Sequence, residues 1–189
     1  ALPAFALPAF ALPAFVLPAV VLLMIVVPAM AVAPSDVAPA AAPSMPLVED
    51  QLLRSSNAGA GDRFGTSVAV DGSIAVVGAP EEDGGDAFRS DAGAAYVYER
   101  TVAGTWTEVA VLRASNAGAG DLFGTSVGVS GTRIVVGAVA EDGVGDEVGA
   151  SGAAYVFERQ PGGSWGQVAL LRAAAPEAGD NFGAGVAAS

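Results

Sequence analysis

Residues 62–79 read DRFGTSVAVDGSIAVVGA, and residues 121–138 read DLFGTSVGVSGTRIVVGA. The two stretches are one pattern written 59 positions apart, and the spacing holds beyond them. Leu53-Arg54 returns as Leu112-Arg113 and Leu171-Arg172; Tyr96 returns as Tyr155, and Trp106 as Trp165. Asp62, Phe64 and Gly65 return as Asp121, Phe123 and Gly124, then as Asp180, Phe182 and Gly183. About 34 of 59 positions are identical between the two complete units. A fixed long period without insertions marks a solenoid, a propeller or an array.

Within a unit every local signal is strand. Phe64, Thr66, Val68 and Val70 alternate with Gly65, Ser67 and Ala69, the period of two expected of a strand. Asp71-Gly72 makes a tight hairpin turn, replaced by Ser130-Gly131 in the next unit. Ile74 to Ala79 is apolar on both faces and predicts a buried second strand. A polar loop follows, then a third strand from Ala94 to Arg100, a turn at Gly104, and a fourth strand from Trp106 to Leu112. Four antiparallel strands per unit, with no helical period, predict an all-β fold of β-propeller blades. A sandwich of two sheets would alternate as well, but it has no reason to repeat at a constant interval.

The motif resembles a known family. Phe64-Gly65 followed by Gly78-Ala79-Pro80 resembles the FG-GAP repeat; the second unit has Phe123-Gly124 with Gly137-Ala138 and Val139 in place of Pro, and the third stops after Phe182-Gly183. The resemblance implies the propeller of integrin α-subunits, closest in pattern to its bacterial secreted branch. It implies structural roles for the motif residues. Phe plugs the space between blades, worth about 2–3 kcal/mol. Gly65 and Gly78 allow close backbone approach, and Pro80 ends the second strand because it cannot donate to a ladder.

The resemblance also sets expectations for organisation. Residues 47–55 match a fourth strand and would seal a ring. Blades cover about 56–113 and 114–172, and 173–189 begin a third. Two blades do not close a ring, so the chain reads as an N-terminal fragment of a larger propeller, with open edges that favour self-association.

Residues 1–46 differ in kind. They hold nine of the 12 Pro, no Gly and one charge, Asp36. Pro recurs every five residues at Pro3, Pro8, Pro13 and Pro18 and breaks any long helix. The Pro-free run from Ala19 to Val27 suits the apolar core of an export signal and is too short to span a bilayer. The segment opens without the Met and basic residue such signals start with. Ala38-Pro39-Ala40 supplies small residues for cleavage. A membrane anchor and plain low-complexity sequence are the other readings.

Composition excludes several chemistries. The chain has no His and no Cys, which removes His-based triads and bases, disulfides and thiolate sites. All eight basic residues are Arg against 20 acids, a net charge of −12 that repels nucleic acid. The loop between the second and third strands is acidic, and Asp83, Asp86, Asp142 and Asp146 are its candidate Ca²⁺ ligands. We read the loop as a solvated acidic loop, with weak Ca²⁺ binding the alternative. The EF-hand-like Ca²⁺ loop that integrin blades carry has no counterpart at Asp71-Gly72 or Ser130-Gly131. Asp62, Asp121 and Asp180 are expected to bond backbone amides in the turn entering each blade. Trp106 and Trp165 follow a Gly-Thr or Gly-Ser pair, as in a sialidase Asp-box. The required Asp is Thr101 or Gln160, so packing is the expected role.

No catalytic constellation is legible. The expectation is a secreted or cell-surface module that binds an extracellular protein or glycan, touching a membrane only through its N-terminal segment. The alternative is a non-catalytic propeller accompanying an exported hydrolase or phospholipase domain.

Overall fold

The computed structural model describes residues 51–83, 89–143 and 148–189. All regular structure among them is strand. The elements are β1 (Ser67–Asp71), β2 (Ile74–Ala79), β3 (Ala94–Arg100), β4 (Trp106–Leu112), β5 (Phe123–Ser130), β6 (Arg133–Ala138), β7 (Ala153–Arg159) and β8 (Trp165–Leu171). They form two antiparallel four-stranded sheets, β1-β2-β3-β4 and β5-β6-β7-β8, each a simple meander. The all-β expectation holds, with each sheet a propeller-type blade.

Three of the four strands of the first unit fall on the residues the alternation predicted. The first does not. β1 starts at Ser67 and not at Phe64; Gly65 takes φ 94° and the Thr66 amide donates back to the Arg63 carbonyl at 3.2 Å, and in the second unit the same turn breaks the register between Phe123 and Ser126 within β5. The residue before each motif Phe is also left-handed: Arg63 (φ 54°), Leu122 (φ 58°) and Asn181 (φ 53°). A non-glycine residue rarely takes that conformation. Here it turns the chain so that Phe enters the blade from the side.

Each blade has two apolar faces. In the first, Ile74, Val76, Ala95, Val97 and Leu112 point one way, into a core shared with the second sheet. Ala75, Val77, Tyr96 and Tyr98 point the other way, joined by Leu53 and Phe64. The second sheet meets the first with the face that carries Ile134, Val136, Tyr155 and Phe157. Phe123 is fully buried at this seam. Its ring meets Tyr155 edge-on at 5.3 Å and Phe157 at 6.0 Å, so it packs on its own blade. Its backbone reaches the other blade: the Phe123 amide donates to the Ala92 carbonyl at 3.0 Å.

The motif glycines make the seam possible. A Cβ on Gly78 would lie 2.0 Å from the Gly124 carbonyl oxygen, and one on Gly137 would lie 2.0 Å from that of Gly183. The glycine after Phe in one blade therefore rests on the glycine that opens Gly-Ala in the blade before it. The Ser67 hydroxyl donates to the Gly124 carbonyl and the Ser126 hydroxyl to the Gly183 carbonyl, both at 2.7 Å. An ion pair, Arg159 to Glu99 at 2.6 Å, and the Gly131 amide donating to Asp71 at 2.6 Å complete the junction.

Residues 51–55 are described but form no strand. They lie against the first sheet. The Gln51 side chain bonds the Trp106 backbone at both its amide and its carbonyl, each at 2.7 Å. The Tyr98 hydroxyl donates to the Arg54 carbonyl at 2.7 Å.

Gly78→Ala tests the seam. Its methyl has backbone on the far side and nowhere to go, so it should cost about 2 kcal/mol or more. Val102→Ala, at a fully exposed turn, should change stability by less than about 0.5 kcal/mol. Urea unfolding midpoints of the two variants separate these outcomes.

Candidate functional site

One arginine and one glutamate that recur in both blades come together in a polar latch. Arg113, just past the end of β4, pairs with Glu82 in the loop after β2: Nη2 to Oε1 at 2.7 Å and Nε to Oε2 at 3.3 Å. The Asn57 amide donates to the same Glu82 Oε1 at 2.6 Å, and the Tyr96 hydroxyl donates to Asn57 Oδ1 at 2.7 Å. The latch repeats 59 residues on. Arg172 grips Glu141 in the same two-pronged way, with its Nε–Oε2 arm at 3.1 Å. Asn116 donates to Glu141 at 2.9 Å, and Tyr155 donates to Asn116 at 3.0 Å. The Gly143 amide adds a further bond to Glu141 at 3.1 Å.

The carboxylates are deeply placed: Glu82 is 3% exposed and Glu141 1%. The polar loop read as solvated therefore turns its recurring glutamate inward, which corrects that expectation for Glu82 and Glu141. Burial alone would raise the Glu141 pKa. The Arg172 guanidinium, the Gly143 amide and Asn116 outweigh burial and hold the carboxyl below its ordinary value. The Arg172 pKa is raised in turn, chiefly by its bond to Glu141. Burial first, then the Glu82 charge, pushes the Tyr96 phenol up to about 12. Burial and the Glu141 charge push Tyr155 up as well. At neutral pH the tyrosines are donors, the glutamates acceptors, and both oxygens of each glutamate hold a partner. A carboxylate held on both oxygens by guanidinium is a clamp and is not poised to move a proton.

The other acidic positions have separate duties. Asp62, Asp121 and Asp180 each accept an amide three residues back, from Gly59, Gly118 and Glu177, at 2.6, 2.7 and 2.8 Å. This is the turn-closing role expected of them. Asp83 Oδ1 accepts the Asp91 amide at 3.3 Å, and Asp142 Oδ1 accepts the Ala150 amide at 2.7 Å. Both tie the two ends of the β2–β3 or β6–β7 loop. Asp86 and Asp146, the other two candidate Ca²⁺ ligands, lie outside the described residues. Among the described residues no three acidic side chains gather as a metal site would need.

Gly78, Ala79, Phe123, Gly124, Gly137, Ala138, Phe182 and Gly183 stand at or beside the junctions; Phe64 packs on the outer face of the first sheet, a Cβ on Gly65 would meet open space, and Pro80 follows the end of β2. Trp106 and Trp165 open the outer strands and are half-buried against the cores. Beside Trp106 a shallow groove of about 360 Å³ runs between Gln51–Ser56 and β4, with Tyr98 and Glu108 in its wall. The latch itself escaped the sequence reading. Its signal was present: Asn57, Glu82, Tyr96 and Arg113 all recur unchanged at the same offset, although most of the β2–β3 loop after Gly84 does not.

Two comparisons bear on this architecture. The family model of the FG-GAP repeat matches residues 47–98 and 106–157. Its unit begins on the equivalent of β4 and runs through β3 of the following blade, so the sequence repeat straddles the junction that its glycines form. A search of curated proteins gave no match.

Glu141 is ionised and latched when folded, with a pKa below its unfolded value of 4.5. Its contribution is complete above about that pH and is lost as pH falls through the folded pKa. Glu141→Gln should cost about 1–3 kcal/mol at neutral pH. It should also flatten the fall in stability below pH 4.5. Chemical denaturation as a function of pH reads both.

Proposed function

The chain belongs to the FG-GAP repeat family, and on that premise we propose that it is an exported recognition module: a rigid stack of blades presenting loops to an extracellular protein or glycan, with no chemistry of its own. One observation carries the reading. The two units keep their junction and latch residues and differ where loops meet solvent. The β3–β4 turn reads Thr101-Val102-Ala103-Gly104-Thr105 in one and Gln160-Pro161-Gly162-Gly163-Ser164 in the other. The β2–β3 loop keeps Glu82, Asp83 and Gly84, then diverges up to Gly93. A frame held constant beneath diverging loops is the pattern of binding, since loops on a rigid scaffold carry recognition.

The framework acids, tyrosines and arginines serve the latch and the turns, which supports a scaffold over an enzyme. Export is supported by the apolar, Pro-punctuated first 46 residues. The charge of −11 on residues 47–189 favours partners with a basic surface.

Expression in a bacterial host followed by intact mass of cell and medium fractions tests export. The expected product in the medium has lost the first forty or so residues. Retention of the whole segment inside the cell would sink export. Recognition is tested on arrays of glycans and extracellular proteins. Exchanging 101–105 for 160–164 should alter binding with the melting temperature unchanged; no binding by the native chain would sink the module reading.

A further inference from the structure

The two blades treat the outer edge of their last strand differently. Both strands leave a turn closed in the same way: the Thr101 amide donates to the Thr105 carbonyl and the Gln160 amide to the Ser164 carbonyl, each at 2.8 Å. Bonded and non-bonded pairs alternate along an antiparallel ladder. The next pairs, Arg100 with Trp106 and Arg159 with Trp165, therefore make no ladder bonds, and the backbone N–H and C=O of each tryptophan point away from the sheet. In the first blade that donor and acceptor have a mate. The Gln51 carboxamide lies across both, its Nε2 donating to the Trp106 carbonyl and its Oε1 accepting the Trp106 amide, each at 2.7 Å. In the second blade Ala110 stands where Gln51 would, 59 residues on, with a methyl in place of the carboxamide. No other side chain among the described residues bonds the Trp165 backbone.

We propose that the edge of β8 at Trp165, facing Ala110, is a binding slot for a primary carboxamide. The first blade displays the mating geometry with its own glutamine. A carboxamide carries an oxygen and an N–H on the same side, which matches a donor and an acceptor on one strand residue. Other common groups lack the pair. A carboxylate has no proton for the Trp165 carbonyl, and an ammonium has no acceptor for its amide. A trans secondary amide points its N–H and its oxygen in opposite directions. The slot therefore selects by chemistry, and it does so outside the loops that differ between the units.

Every wall of the slot lies between Ala110 and Gln167, within the junction of the two sheets. Ala110 and Trp165 both pack on the shared core. Beyond them the Ser115 amide donates to Gln167 Oε1 at 3.0 Å and Gln167 Nε2 donates to the Ser115 hydroxyl at 3.0 Å. Ser56 and Glu108 make the matching tie in the first blade. The two places are thus held alike at that end and differ at the glutamine. Ala110, Trp165 and Gln167 are each only half-buried, so solvent reaches the slot. The first blade keeps a groove of about 360 Å³ beside Gln51 even with the carboxamide seated. The Trp165 indole N–H is buried without an acceptor, a further unmet donor on the same residue. Two bonds exchanged with water give a lone amide only millimolar affinity; a partner presenting a glutamine gains the rest from contacts along the edge.

The test follows the backbone amide signals of Trp165 and Trp106 by NMR while propionamide is added to the full chain. The Trp165 amide should shift and saturate in the millimolar range, with Trp106 unmoved. Propionate and N-methylpropionamide should bind at least about tenfold more weakly. Ala110→Gln supplies the missing group from within: it should abolish the Trp165 response and raise the melting temperature by about 2–4 °C. Gln51→Ala opens the first slot, so the Trp106 amide should begin to respond; this variant decides the matter if Ala110→Gln fails to fold. A peptide with one central glutamine and an N-methylamide end separates the sources. Binding about tenfold tighter than propionamide places the carboxamide on a protein partner, and equal binding assigns the slot to a free amide. A Trp165 amide that never shifts overturns the proposal. So does an equal response to propionamide and N-methylpropionamide, a response that survives in folded Ala110→Gln, or a Trp106 amide that stays silent in Gln51→Ala.

Discussion

The structure hangs on a contact between two glycines. Gly78 and Gly124 bring two backbones so close that a single methyl on Gly78 would occupy the space of a carbonyl oxygen. Around that contact everything else is placed. The left-handed turn at Leu122 delivers Phe123 to the seam, and the Ser67 hydroxyl caps the Gly124 carbonyl that would otherwise be stranded. The Phe ring then covers the tyrosine face of its own sheet. Burial of the aromatic rings supplies much of the driving force, but the glycines decide how near the sheets come and hence whether that burial occurs.

The latch does for one blade what the glycines do for two. A four-stranded meander has its first and last strands at opposite edges, so no ladder bond ties its beginning to its end. Asn57 comes before β1, Glu82 follows β2, Tyr96 lies in β3 and Arg113 follows β4. Their bonds connect the sequence ends of one unit through its middle. Removing water from a carboxylate and a guanidinium is costly, and the pair persists because both oxygens and the neighbouring amides are fully used.

The strands and their order were legible because the alternation and the 59-residue period agree with one another. The start of β1 was not, since Phe64-Gly65 alternates like a strand while the ladder to β2 begins at Ser67. Turn closure by Asp62 was legible from its place after a run of small residues, a local bond within reach of three positions. The latch was hidden for the opposite reason. Glu82 and Arg113 are 31 positions apart, and a glutamate among Glu81, Asp83 and other acids looks solvated until the fold turns it in. The calcium expectation rested on that same acidic run. Of its four carboxylates, Asp83 and Asp142 each accept an amide across their loop, and Asp86 and Asp146 lie outside the described residues.

The position of the latch has a mechanical consequence. Tension applied along the chain would load each blade at its two ends, where the Asn57–Glu82–Arg113 bonds sit. It would shear that short cluster before the ladders behind it. A blade whose latch has failed would pay out its 59 residues as one step of roughly 200 Å at full extension. The neighbouring blade would keep its own latch.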